Sequence, residues 1–171
     1  MSDIFTIQEL KRKSISKLKL CWIGDANNNM MNSLIEACVK FTVSLNIACP
    51  KSYQPNKTLI SVIKKQKGKI KIFYKKELAV KNSDVVMTDK IISINDKVNK
   101  KKKLKSLKNF KVDLKTMNLA KNDAIFLHCL PRGNEVSEDV FLGKKSKVWQ
   151  QALNRVHVQK SILLYCFGKL R

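Results

Sequence analysis

The chain lacks several features that would define its function directly. Its five cysteines contain no C-x-x-C pair and only two histidines accompany them, which disfavours a disulfide framework or a Cys/His zinc site. A G-x-G-x-x-G fingerprint and a P-loop are also absent. No apolar run is long enough to span a bilayer, and the first ten residues lack a signal-peptide pattern. We therefore expect a cytoplasmic protein with reduced thiols, no membrane partner, no metal and no cofactor.

Acidic residues are also scarce, since 13 Asp and Glu stand against 35 Lys and Arg, which gives a net charge of +22. Such a charge favours contact with nucleic acid or an anionic surface. A lysine-biased composition spread over solvent-facing positions produces the same charge, and we favour that interpretation because no basic-aromatic interleaving is present. The densest patch is Lys100–Lys103 with Lys105 and Lys108, which we interpret as a mobile loop leading into a solvated helix face.

The 171 residues have the size of one domain and a strand–helix alternation. Five apolar runs predict β-strands at 17–24, 44–49, 70–74, 84–88 and 124–130. Helical patterns separate them, so we predict a Rossmann-like three-layer α/β domain with a mostly parallel, roughly five-stranded sheet. Residues 1–16 are expected to form an N-terminal linking helix and connector. Residues 17–171 are expected to form the main domain, including the C-terminal helix.

Polar clusters follow three of the predicted strands, at 24–29, 88–93 and 128–131. The carboxyl ends of parallel strands share one edge of a sheet, so we expect these clusters to converge. Each cluster alone has a structural explanation: amides cap helices, aspartates cap turns, and a cysteine fills a small apolar space. Together their amide, carboxylate and hydroxyl groups suit a small amino acid better than a nucleotide.

Four longer segments carry a family pattern. They are W-I-G-D-A-N-N-N-M-M-N-S at 22–33, D-V-V-M-T-D-K-I-I-S at 84–93, H-C-L-P-R-G-N-E-V-S-E-D-V-F at 128–141 and L-N-R-V-H-V-Q-K-S at 153–161. In this order and spacing, the chain resembles the C-terminal, ornithine-binding half of the ornithine carbamoyltransferases. The H-C-L-P form favours the ornithine branch over the aspartate branch. The resemblance implies carbamoyl transfer from carbamoyl phosphate to L-ornithine, giving citrulline, in the full enzyme.

The resemblance also implies ornithine-binding roles for four residues. Asn29 and Ser93 would hold the α-groups of the amino acid, and Asp89 would bind its amino groups. Ile94 occupies a further position of the same ornithine-binding loop.

Three other residues match the family's carbamoyl-phosphate site. Cys129 and Leu130 would lie beside the reacting carbamoyl group, and Arg155 would help to hold carbamoyl phosphate. Asp89 and Cys129 are therefore the candidate catalytic residues. Cys129 has no evident base or metal partner in the sequence, so we do not interpret it as a nucleophile.

The chain departs from the family in two places. The S-x-R-T-R and H-P-x-Q motifs of the carbamoyl-phosphate domain are absent, so we expect no activity from this chain alone. Its partner would then be a separately encoded N-terminal half that acts as a complementing chain, or further copies of the same chain in a homo-oligomer. In the ornithine loop, Ile91, Ile94 and Asn95 replace the family's Trp, Met and Gly.

The apolar sides of the first and last helices are expected to be exposed where the missing domain would pack. A basic nucleic-acid-binding protein on a recycled α/β fold is the alternative.

Overall fold

The computed structural model describes residues 1–66, 68–92 and 99–169. At its centre are five parallel strands: β1 (Lys19–Ile23), β2 (Ser44–Ala48), β3 (Ile70–Phe73), β4 (Val85–Thr88) and β5 (Ile125–His128). They are arranged in the order β3-β2-β1-β4-β5. The predicted parallel, five-stranded α/β fold is confirmed. The chain adds strands on one side of β1 as far as β3 and then returns to add β4 and β5 on the other side. The order of the strands therefore reverses between β1 and β4, and ligands of open α/β sheets bind at such a switch point.

Helices connect the strands and cover both faces of the sheet. They are α1 (Ser2–Lys11), α2 (Asn29–Lys40), α3 (Lys57–Lys65), α4 (Lys76–Val80), α5 (Lys100–Leu107), α6 (Leu114–Asn118), α7 (Glu138–Phe141) and α8 (Val148–Cys166). Side-chain caps explain several of the starts: Asn28, Asn56 and Asp113 each accept a hydrogen bond from a backbone N–H of the first turn. Within the described ranges, no helix is both long and apolar enough to cross a membrane.

Alternate residues of each strand enter two separate apolar cores. In β1, Leu20 and Trp22 join the core on one face of the sheet, whereas Cys21 and Ile23 join the core on the other. Both faces of a parallel sheet are covered by helices, which is why the strands are mainly apolar. All five cysteines are free thiols.

Helix α1 packs against α8 rather than standing apart. Ile4 and Ile7 are buried in the same core as β1, so the expectation that the apolar side of α1 would be exposed is wrong for these two residues. Phe5, on another side of the helix, is exposed. For α8 the expectation is confirmed, because from Val156 onwards the helix exposes large apolar side chains, namely Val156, Ile162, Leu163 and Tyr165, and its C-cap residue Phe167 is exposed as well. The proposed boundary after residue 16 stays a prediction.

The lysine-rich run requires a correction. It is helical from Lys100 onwards rather than a mobile loop, and Lys103 is buried although its neighbours Lys101 and Lys102 are exposed. The physical reason is an ion pair between Lys103 and Asp25, which compensates the ammonium group for its loss of water.

Candidate functional site

A cavity of about 520 Å³ lies at the carboxyl edge of the sheet, between α1, α2 and α8. Five of the residues singled out from the sequence line it: Asn29, Asp89, Cys129, Leu130 and Arg155. The fold therefore brings together side chains that are far apart in the sequence. Ser93 and Ile94, the other two candidates, lie outside the described residues.

The first wall of the cavity is the start of α2. Asn28 caps this helix by accepting a hydrogen bond from the backbone N–H of Met31 at 2.8 Å. The next residue, Asn29, is exposed and lines the cavity, together with its neighbour Met30 and with Ser33 one turn further along. Sequence reasoning did not single out Met30 or Ser33, although Ser33 lies four residues after Asn29 and therefore on the same helix face.

The turn that leads into α2 requires a glycine. Gly24 has a φ of 133°, which favours glycine, and a Cβ built there would lie 3.3 Å from Oγ1 of Thr88. Thr88 in turn donates a hydrogen bond of 2.6 Å to the carbonyl oxygen of Ile23. The ends of β1 and β4 are thereby held close together, and Asp89 follows directly on β4.

Asp89 places a half-buried carboxylate at the cavity. Burial raises its pKa above the ordinary value, and the charges of Glu135 and Asp25 add to the shift. The backbone N–H of Lys90, which donates to Oδ1 at 2.7 Å, and the charge of His128 oppose it. Among the described residues, no lysine or arginine forms an ion pair with Asp89. Its carboxylate is therefore suited to receive a cationic group from a ligand.

The second wall is the segment after β5, where Glu135 organises the backbone. Its Oε1 lies 2.8 Å from Nε2 of His128 and accepts a hydrogen bond from the N–H of Gly133, while Oε2 accepts one from the N–H of Ile91 at 3.3 Å. Burial raises the pKa of Glu135, but the hydrogen bonds from His128 and Gly133 outweigh it, so the net pKa lies below its usual range. Helix α7 begins only at Glu138, and sequence reasoning did not single out Glu135 for this organising role.

Gln151 connects three parts of the cavity wall. Its Oε1 accepts the backbone N–H of His128 at 2.9 Å, and its Nε2 donates to Oδ1 of Asp3 at 2.8 Å. One buried amide thus joins the end of β5 to α1 and α8. Both Gln151 and Asp3 line the cavity, and neither was singled out from the sequence.

Cys129 carries a protonated thiol at neutral pH. Burial raises its pKa to about 12; the negative charges of Asp3 and Asp89 add to the shift, and Arg155 opposes it. Because the thiolate is the nucleophilic form, this agrees with the interpretation that Cys129 is not a nucleophile. Its Sγ lies 4.0 Å from Sδ of Met30, so the thiol contacts the α2 wall across the cavity.

The cavity combines opposite charges with neutral polar groups. Asp3 and Asp89 supply carboxylates, Arg155 supplies a guanidinium group, and Asn29 and Gln151 supply amides. Carboxylates bind ammonium groups, whereas guanidinium and amide N–H groups bind carboxylates or phosphates. The arrangement suits a small zwitterion that carries amino and carboxylate groups.

This combination of a parallel α/β sheet and a polar cavity at its switch point is typical of small-molecule-binding domains. The family model described as "Aspartate/ornithine carbamoyltransferase, Asp/Orn binding domain" matches residues 16–166. The chain therefore belongs to the aspartate/ornithine carbamoyltransferase family, and the resemblance inferred from the four sequence segments is confirmed.

Individual relatives point to the ornithine branch. The chain is 40% identical to ornithine carbamoyltransferase from Staphylothermus marinus over 169 residues, which are 95% of this chain and 54% of the relative. It is 41% identical to the enzyme from Ruthia magnifica over 167 residues, covering 96% of this chain and 54% of that protein. The chain thus spans about half the length of the curated relatives it matches.

Solved structures give the same result. Anabolic ornithine carbamoyltransferase from Campylobacter jejuni superimposes with a TM-score of 0.87 at 36% identity, over 98% of this chain and 57% of that one. The enzyme from Pyrococcus furiosus gives a TM-score of 0.86 at 33% identity, over 99% of this chain and 56% of that one. These relatives are all carbamoyltransferases, so they lend no support to the nucleic-acid-binding alternative.

Proposed function

We propose that this chain binds L-ornithine in the cavity and is the amino-acid-binding half of an ornithine carbamoyltransferase. The observation that carries the proposal is the cavity itself, which the half-buried Asp89 carboxylate, the Asn29 amide and the Arg155 guanidinium group line together in a chain of this family. The ornithine carbamoyltransferases among its relatives supply the identity of the amino acid.

L-Ornithine offers one carboxylate and two amino groups. We propose that Asp89 accepts hydrogen bonds from an amino group, and that Asn29 contacts the α-groups. Ser93 and Ile94, which follow β4 in the sequence, would complete this site. Charge-assisted hydrogen bonds of this kind are about twice as strong as neutral ones, so Asp89 would contribute most of the discrimination in favour of a second amine.

In the complete enzyme, the proposed reaction is attack of the neutral δ-amine of ornithine on the carbamoyl carbon. The new C–N bond forms as the C–O bond to phosphate breaks, the nitrogen loses a proton, and citrulline and phosphate result. Cys129 and Leu130 would lie beside the carbamoyl group, and Arg155 would contact the phosphate. Catalysis would rest on orientation and on charge complementarity to the departing phosphate, with the Cys129 thiol remaining protonated.

The activity would also require a second site for carbamoyl phosphate. This chain corresponds to about half of its relatives and lacks the S-x-R-T-R and H-P-x-Q motifs, so we propose that it forms no citrulline alone. A complementing chain that carries both motifs would cover the exposed second half of α8. We further propose a cytoplasmic location, where its five free thiols would remain reduced.

Titration calorimetry with L-ornithine tests the proposal. L-Norvaline, which lacks the δ-amine, and L-aspartate, the substrate type of the other family branch, serve as matched ligand controls. We expect saturable heat with ornithine, weaker binding of norvaline, and no binding of aspartate. The absence of ornithine binding would overturn the proposed function. Citrulline formation by this chain alone would overturn the requirement for a second half.

A further inference from the structure

Lys103 is the one lysine of its run that is buried, and it pairs with Asp25. Its Nζ lies 2.7 Å from Oδ2 of Asp25, and both side chains are only 6% exposed. The same nitrogen lies 5.7 Å from the centre of the Tyr53 ring. Removing two charges from water carries a desolvation penalty, and a buried ion pair adds little net stability compared with apolar residues of similar volume. The pair is therefore better explained by the geometry that it fixes than by the stability that it adds.

Asp25 is the centre of the turn between β1 and α2. Its Oδ1 accepts the backbone N–H of Asn27 at 2.8 Å, and its carbonyl oxygen accepts hydrogen bonds from Nε1 of Trp22 at 3.0 Å and from Nδ2 of Asn28 at 3.1 Å. Asn28 is the residue that caps α2. The conformation of Asp25 therefore determines where Asn29, the first residue of the helix, stands.

The two carboxylate oxygens of Asp25 have different roles. Oδ1 binds a backbone N–H within the turn, whereas Oδ2 forms the ion pair with Lys103 and so connects the turn to α5, a separate element of the fold. Neither Lys103 nor Asp25 lines the cavity. Lys103 therefore influences a ligand without direct contact, and the turn that Asp25 organises is the structural connection between them.

We propose that Lys103 is a positioning residue for amino-acid binding: by holding Asp25 against α5, it fixes the turn that presents Asn29 to the cavity. This inference rests on the proposed function, because its measure is the affinity for L-ornithine. Binding groups must be held to within about 0.5 Å of their productive position, and this precision comes from residues that support them from behind. Lys103 is such a support for the α2 wall.

Four variants test this role by calorimetry with L-ornithine and by thermal melting. Lys103→Met removes the ammonium group but keeps a long side chain, and Lys103→Arg restores the charge. Lys101→Met is the matched control, because Lys101 is an exposed lysine of the same helix. The double variant Lys103→Met with Asp25→Asn removes both charges, so it leaves no unpaired carboxylate buried in the fold.

We expect Lys103→Met to weaken ornithine binding about tenfold or more, Lys101→Met to leave it unchanged, and Lys103→Arg to recover most of it. The double variant is expected to melt nearer to the wild type than Lys103→Met does, while its ornithine affinity remains low. A merely structural role would restore affinity together with stability, so wild-type affinity in the double variant would overturn the inference. If Lys103→Met does not fold, the ornithine affinity of the double variant alone tests the inference. If the wild-type chain does not bind ornithine, the proposed function itself is rejected.

Discussion

The Nε2 atom of His128 lies 2.8 Å from Oε1 of Glu135, and both side chains are buried where β5 ends. Glu135 also accepts the backbone N–H of Ile91, which follows Asp89. A single carboxylate therefore joins the two strand ends that carry Asp89 and Cys129. Its ionised form is what these donors require, so the cavity wall depends on the charge of Glu135.

The first prediction concerns stability at acidic pH. The pKa of Glu135 is lower in the folded protein than its ordinary value of 4.5 in the unfolded chain. Its ionised side chain therefore stabilises the fold at pH values above 4.5, and this contribution is lost as the pH falls through the pKa of the folded state. We expect Glu135→Gln to reduce the free energy of unfolding by about 1.5–3 kcal/mol at neutral pH, with a smaller difference in acid. Urea denaturation at several pH values measures this. Glu138→Gln, at an exposed position of α7, is the control, and equal losses at all pH values would contradict the prediction.

The second prediction concerns Asp89→Asn. The pKa of Asp89 is higher in the folded protein than in the unfolded chain, so the folded state binds a proton more readily. As the pH rises from the unfolded pKa to the folded pKa, ionisation of Asp89 reduces the stability of the fold. At neutral pH we therefore expect Asp89→Asn to raise the melting temperature. The same variant should weaken ornithine binding about 10- to 100-fold, because a charge-assisted hydrogen bond is lost. Asp139→Asn, an exposed position of α7, is the control for both measurements. Unchanged ornithine affinity would exclude Asp89 from the site.

The third prediction concerns thiol reactivity. The pKa of Cys129 is raised to about 12 by burial, whereas Cys166 is exposed near the end of α8. Alkylation with iodoacetamide at neutral pH, followed by peptide mass spectrometry, should therefore modify Cys166 well before Cys129. Added L-ornithine should slow the reaction of Cys129 further and leave Cys166 unaffected. Equal rates at the two thiols would refute the buried, protonated state of Cys129.

The sequence predicted the features that depend on local pattern. The five strands and the grouping of Asn29, Asp89 and Cys129 at one edge follow from apolar runs and from the geometry of parallel sheets. It did not predict contacts between buried polar groups that are distant in the chain. A lysine in a basic run looks the same whether its side chain faces water or, as at Lys103, a buried carboxylate.

The same limit explains the other differences. Glu135 was not singled out, because its hydrogen bonds come from the backbone N–H groups of Gly133 and Ile91, which only the folded chain brings to it. Likewise, the apolar residues of α1 were expected to face the missing domain. Ile4 and Ile7 instead enter the core that also contains Leu20 and Trp22 of β1, and Asn154 of α8 donates a hydrogen bond to Oγ1 of Thr6 in the same helix.

The fourth prediction concerns association. Leu163 is 58% exposed and is one of the large apolar side chains that α8 exposes. Exposed apolar surface promotes contact between molecules. We expect the wild-type chain to elute at a larger apparent mass as its concentration rises, and Leu163→Glu to reduce this shift. Size-exclusion chromatography with light scattering measures it. Leu78→Glu, at a 60% exposed position of α4, is the control. An identical concentration dependence for both variants would contradict a role for α8.

Helix α8 is anchored at one end only. Its buried residues are Val148, Gln151 and Asn154, all within the first two turns of a 19-residue helix. The remainder, from Arg155 to Cys166, is about 18 Å of helix without a buried residue, a length at which an isolated helix is only marginally stable in water. Its backbone amides will consequently exchange with deuterated solvent far faster than those of the first turns. A partner that covers this segment would slow the exchange there first, so the amide protons of α8 provide a direct reading of whether the chain is alone or complemented.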